Sequence, residues 1–160
     1  SSHTYYIDLF FDLNFKRELK MNKDKRLFFL LNRARNATYK YMDKLMIETI
    51  EVPVAQVSAL LILNINDGCL VKDLGTFLGL NKSGTTGLTD RMVKNQLIRK
   101  ITDKTDGRAF RIMLTQKGKD VLKKAKPIIK TENEKIQQGF NEDEMETVIR
   151  FLNNLSHIHR

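Results

Sequence analysis

Tryptophan is absent from this 160-residue chain, cysteine occurs once, proline twice and histidine three times. The single cysteine, Cys69, excludes an internal disulfide and fits a reducing compartment. It follows Gly68 in a turn-like stretch with no histidine nearby, so an ordinary, partly buried thiol is expected there rather than a redox sensor. His3, His157 and His159 sit at the chain ends. His157 and His159 are two residues apart, a spacing that does not share a helix face, so no metal site is expected. No apolar run approaches ~18 residues, which argues against a transmembrane helix. No signal-peptide layout is present near the N-terminus, and a cytoplasmic protein is expected. Glycine-rich loops that cradle a phosphate are missing, as is any nucleophile paired with a base. Neither a cofactor nor an enzymatic activity is therefore expected.

Acidic residues are scarce where basic residues crowd. Residues 82–126 hold thirteen Lys and Arg against four Asp, an excess that equals the whole formal charge of +9. The rest of the chain is balanced, fifteen of each sign. A polyanion is the natural partner of such a segment, because neutralised phosphates release condensed counterions. Taken alone, the same run also fits a solvated basic face.

The pattern along the chain is mainly helical. Residues 3–20 are aromatic, and Tyr6, Leu9, Phe10 and Leu13 follow an amphipathic spacing that should dock on the body or on a second subunit. Asp24 is placed to cap a helix over 24–50, with Leu27, Leu30, Leu31, Ala34, Thr38, Tyr41 and Leu45 on one face. Pro53 stops it and opens a second helix to about Asn64, apolar nearly all round and so central. A short helix follows from Val71 to Leu78, with Leu74, Phe77 and Leu78 expected inside and Gly79 as its left-handed terminator.

The next helix spans about Lys82 to Asn95. Thr85, Leu88 and Met92 should face inward, leaving Ser83, Thr86, Gly87, Asp90, Arg91 and Lys94 outward. That face is small, hydroxylated and basic, which suits phosphates and base edges. Gly84 and Gly87 each cost a helix interior about 1 kcal/mol against Ala. Either backbone contact with DNA or tight packing between the two helices explains them.

Two alternating segments, Ile98–Ile101 and Phe110–Leu114, then read as strands joined by a seven-residue loop, Asp103–Ala109, which carries Lys104, Gly107 and Arg108. Hairpin loops usually take 2–5 residues, so this one projects. Thr115 caps a long helix to about Gln138, in which Pro127 should kink or break the chain. Asn141 and Glu144 form a reciprocal cap for a last helix striped with Met145, Val148, Ile149, Leu152, Leu155 and Ile158. Helix, turn, helix and basic hairpin, in that order, make a winged helix-turn-helix.

These residues resemble the MarR family of winged-helix transcriptional regulators over roughly 26–155. The likeness is carried by Val71-Lys72-Asp73-Leu74-Gly75, by Leu80 to Met92, by Asp106-Gly107-Arg108 and by Leu114-Thr115-Gln116-Lys117-Gly118. Phe29 to Arg35 resembles the family's first helix. The resemblance implies a mainly α fold with a small β-hairpin wing and N- and C-terminal dimerisation helices. It divides the chain into dimerisation helices at 1–50, a DNA-binding domain at 53–115 and further dimerisation helices at 116–160. It implies a homodimer on double-stranded DNA, regulating transcription as a repressor, with a small aromatic or anionic effector. Thr86 and Arg91 would touch the major groove and Arg108 the minor groove. Lys82, Ser83, Thr85, Gly87, Lys94 and Lys104 complete the expected DNA surface, although Thr85 has an inward register. Asp90 and Asp106 would brace the wing. Gly75 stands where alanine is commoner, and Gly87 where a basic residue is frequent. A winged helix used as a protein-docking scaffold, without DNA reading, is the alternative.

Overall fold

The computed structural model describes residues 26–158, and all structural statements concern these residues. The aromatic segment at 3–20, the cap at Asp24, His3 and His159 lie outside them. The described elements are eight: α1 (Leu27–Ile50), α2 (Val54–Ile65), α3 (Val71–Leu78), α4 (Lys82–Lys94), β1 (Ile98–Thr102), β2 (Phe110–Leu114), α5 (Gln116–Ile136) and α6 (Glu142–Ile158). The chain divides after Lys44 into two units. No single helix among the described residues is long and apolar enough to cross a membrane.

In the first unit, α1 runs with Leu27, Phe28 and Phe29 exposed and the Phe28 and Phe29 rings edge to face at 5.6 Å. Leu30 and Leu31 are half-buried. The helix stops where β-branched residues meet Pro53, and Glu51 there takes a left-handed φ of 58°.

The second unit is built around α2. Its sequence is apolar on most sides, so burying only one stripe would leave too much hydrocarbon in water. It packs on α3, α4, α5 and β2. Ala59, Leu60 and Leu63 are fully buried, joined in the core by Leu74, Met92, Leu97, Ile98, Ile112 and Leu122. Met46, at the end of α1, is also fully buried. Gln56 enters this core only because Asn95 donates to its side-chain oxygen at 3.1 Å.

β1 and β2 pair antiparallel with Ile98 opposite Leu114 and Thr102 opposite Phe110. Leu70 adds an isolated bridge to Arg111, and the Cys69 carbonyl accepts from Ile112 N–H at 2.9 Å. The α2–α3 loop thus joins the sheet at its edge. Thr115 caps α5 as the sequence predicts: its hydroxyl oxygen accepts from Gly118 N–H at 3.0 Å, and it donates to the Gln96 carbonyl at 2.7 Å. Asn141 and Glu144 exchange both capping bonds at 2.9 Å.

Two expectations are corrected here. Of the kink or break expected at Pro127, the break does not occur, since α5 runs from Gln116 to Ile136. The proline is exposed, so the Lys123 carbonyl that loses its donor lies on the solvent side rather than in the core. Phe77 is 55% exposed instead of buried. The buried residues of α3 are Leu74 and Gly75. The helix leans on α4 through that edge, and Phe77 lies about 60° round the axis from Leu74 and about 160° from Gly75.

Candidate nucleic-acid interface

The turn between α3 and α4 fixes the angle of the second helix. Gly79 adopts φ 65°, and Leu80 N–H closes back on the Gly75 carbonyl at 2.9 Å. Asn81 then caps α4, its side-chain oxygen accepting from Gly84 N–H at 2.8 Å. The close approach between the helices is made at Gly75, where a methyl group would run into the Thr85 side chain. That contact explains glycine at a position where the resemblance leads one to expect alanine.

With α4 so held, Thr85, Leu88, Thr89 and Met92 are buried. Lys82, Ser83, Thr86, Asp90, Arg91 and Lys94 are exposed, and Gly87 is half-exposed. Thr85 is thus the one residue of the expected DNA surface that belongs inside. It is 3% exposed and donates its hydroxyl to the Asn81 carbonyl at 2.8 Å, so it supports the turn. Thr86 donates to the Lys82 carbonyl at 2.9 Å, which leaves its methyl group and oxygen lone pairs to face outward. No packing accounts for Gly87: a methyl group there would meet only the Arg91 guanidinium, at 3.5 Å.

The hairpin places its face with Phe110, Ile112 and Leu114 toward the body and the groove. A groove of about 580 Å³ runs between the hairpin and the start of α4. Lys82 and Thr86 line one side of it, and Lys100 and Arg108 the other; Lys72 closes it from α3, over Leu80 and Phe110. The structure therefore brings Lys82, Thr86 and Arg108 together. Arg91 and Lys94 stand further along the outer face of α4, and Lys104 on the exposed loop, none of them lining the groove. Lys72 and Lys100 were missed by sequence reasoning. Lys72 is legible in retrospect, since the first helix of a helix-turn-helix crosses the nucleic-acid backbone.

The two acidic residues expected to brace the wing behave differently. Asp90 pairs with Lys100 at 2.6 Å and so links α4 to β1. Asp90 is largely exposed, so this ion pair contributes little. The Asp106 carboxylate accepts from Arg108 N–H within the loop, at 3.0 Å. The buried brace is Asp103, 6% exposed. It accepts from the Thr105 hydroxyl, from the N–H groups of Thr105 and Asp106 at 2.9 Å each, and from Arg111 Nε at 2.5 Å. Arg111 Nη1 also donates to the Gly68 carbonyl at 2.9 Å.

The Thr105 hydroxyl and the backbone N–H groups, with Arg111 adding, hold the Asp103 carboxyl far below the usual aspartate range. A depressed folded value stabilises the fold above the unfolded value and loses that contribution as pH falls toward the folded one. Asp103→Asn is accordingly less stable than wild type at neutral pH, and thermal melts of the two converge as pH drops below about 4. A stability gap that stays constant down to acid pH contradicts this role. Cys69 shows the opposite shift: burial, then the Asp73 carboxylate, push its thiol up, so it is protonated and unreactive at neutral pH.

A recognition helix, a preceding helix that supports it and a basic hairpin beside it define a winged-helix protein. Residues 50–109 match the model of the MarR family. The HTH-type transcriptional regulator BilQ of Clostridioides difficile (strain CD3) is 30% identical over 93 residues, 58% of this chain. The alignment spans 63% of that relative's length. Two solved structures share the fold at a TM-score of 0.74 each. The PcaV transcriptional regulator of Streptomyces coelicolor, in complex with its natural ligand, is 22% identical over 85% of this chain and 95% of its own. The MepR–DNA complex of S. aureus is 18% identical over 82% and 96%.

Proposed function

We propose that the protein is a homodimeric, sequence-specific binder of double-stranded DNA that represses transcription and responds to a small effector. The observation that carries the reading is the facing of Lys82 and Thr86 on α4 and Arg108 on the wing across one cationic groove. Charge placed this way matches the spacing between a helix in the major groove and an arm on the neighbouring backbone or minor groove. Ser83, Thr86 and Gly87 keep the leading half of α4 slim, which permits deep entry. Lys82, Arg91, Lys94 and Lys104 supply phosphate contacts, and Arg108 reaches the minor groove.

Dimerisation is supported by unspent apolar surface on the first and last described helices. α6 has no buried residue, and Ile149, Leu152 and Ile158 are 48–68% exposed. Leu27, Phe28 and Phe29 on α1 are exposed as well. Contiguous apolar faces of this kind mark association surfaces. In this reading the helices at 1–50 and 116–160 join the subunits, and 53–115 reads DNA. The solved relatives support the partners, one holding DNA and the other its natural ligand. A small aromatic or anionic effector is the ligand class proposed here, and it acts by lowering DNA affinity.

Binding to a duplex from its own upstream region, measured by fluorescence anisotropy from 50 to 300 mM salt, tests the reading. Affinity falls steeply, with about 0.9 of log–log slope for each phosphate neutralised. Salt-insensitive binding, or capture of an acidic protein but no duplex, favours the scaffold alternative instead.

A further inference from the structure

We infer that Arg111 and Asp103 are a positioning pair that sets the direction of the wing by tying its loop to the α2–α3 connection. This rests on the DNA-binding reading above. The strand register decides which way Arg111 points. Phe110 and Ile112 lie on one face of β2, and Phe110 lines the groove. Arg111 lies between them and so projects from the other face, away from the surface that meets DNA. There its guanidinium bridges two elements: Nε donates to Asp103 at the root of the loop, and Nη1 to the Gly68 carbonyl.

Asp103 gathers the loop in turn. Its carboxylate receives the N–H groups of Thr105 and Asp106, and the Asp103 N–H donates to the Ala109 carbonyl at 2.9 Å, closing the loop across its neck. Asp106 in turn accepts from the N–H of Arg108, two residues beyond it. The chain of contacts therefore runs from the Gly68 loop through Arg111, Asp103 and Asp106 to the backbone of Arg108. A seven-residue loop left to itself samples many directions. One anchored at its neck presents its arginine in few of them, and less ordering entropy remains to be lost on binding.

A double-mutant cycle separates positioning from contact. Duplex affinity is measured for wild type, Arg111→Gln, Arg108→Ala and the double variant. Arg111→Gln weakens binding by about tenfold, up to the loss that one wing contact supplies. In the Arg108→Ala background the same change alters affinity less than twofold, because the arginine it positions is gone. Arg111→Lys keeps one of the two bonds and falls between wild type and Gln.

An equal loss in both backgrounds overturns the proposal, since it marks an independent contact or general destabilisation. No loss in either background overturns it as well. Hydrogen exchange at the Thr105 and Asp106 amides gives a readout independent of DNA. It quickens at least tenfold in Arg111→Gln while exchange in α2 holds steady. If the wild type binds no duplex, the functional reading fails while accelerated loop exchange still supports the anchoring; an unchanged exchange rate overturns the anchoring even when DNA binds.

Discussion

Gly118→Ala lowers the stability of the winged segment by about 3 kcal/mol, at the upper end of what overpacking costs. The sign is the informative part. Gly118 lies in the first turn of α5, and helix propensity alone predicts that alanine there stabilises by up to about 1 kcal/mol. The surroundings reverse this. A methyl group would press into the Leu97 backbone carbonyl and approach Leu60 Cδ2 at 3.3 Å. Neither side has room to yield. The Leu97 carbonyl accepts from Thr115 N–H at 3.2 Å, and Gly118 N–H is bound to the Thr115 hydroxyl. Leu60 is fully buried at the centre of the core. Calorimetry should find the melting temperature of Gly118→Ala about 10 °C below wild type, and Gly118→Val unfolded at room temperature. A Gly118→Ala protein that melts at or above wild type shows that the α5 start is not packed against Leu97 and Leu60 in this way.

Replacing Lys82, Arg91, Lys94 and Lys104 together by glutamine weakens duplex binding on the order of 10³-fold for each subunit near 0.15 M salt. The figure follows from counterion release, at roughly fivefold per phosphate contact at that concentration. The salt slope flattens by about 3.6 for each subunit at the same time. Thermal stability changes little, because all four side chains are exposed. A matched control removes the same charge from elsewhere in the basic segment: Lys117, Lys119, Lys123 and Lys124, all exposed on α5. The control loses far less affinity if position matters more than net charge. Equal losses in the two variants mean that the protein binds through a diffuse field, without a reading surface on α4 and the wing.

Much of this architecture is legible in the sequence because its signals are local. The α3 periodicity, Gly79, the hairpin loop at 103–109, the Thr115 cap and the Asn141–Glu144 box each lie within a few residues of the feature they specify. What escapes depends on partners distant in sequence. Asp103 looks like any loop carboxylate until the strand register sets Arg111 beside it, and Gly68 is a further 43 residues from Arg111. Asp106 carries the family-like pattern, yet the buried position went to its neighbour three residues earlier. Phe77 follows a correct helical period on a helix too short for the period alone to fix which edge packs. Gly75 decides that edge by the close approach to Thr85. Pro127 obeys its local chemistry, but its effect depends on which side of α5 meets solvent.

Hydroxyl-radical footprinting, paired with dimethyl sulfate probing of guanine N7 in the major groove, maps how the wild-type protein sits on a duplex selected from a random pool. If α4 and the wing of each subunit form a paired reading surface, the protected backbone falls in two equal patches related by a two-fold axis. Each contains a major-groove segment with minor-groove protection on its flank, and Arg108→Ala erases the flanking protection alone. A single unbroken patch, uniform weak protection along the duplex, or flanking protection that survives Arg108→Ala contradicts the account.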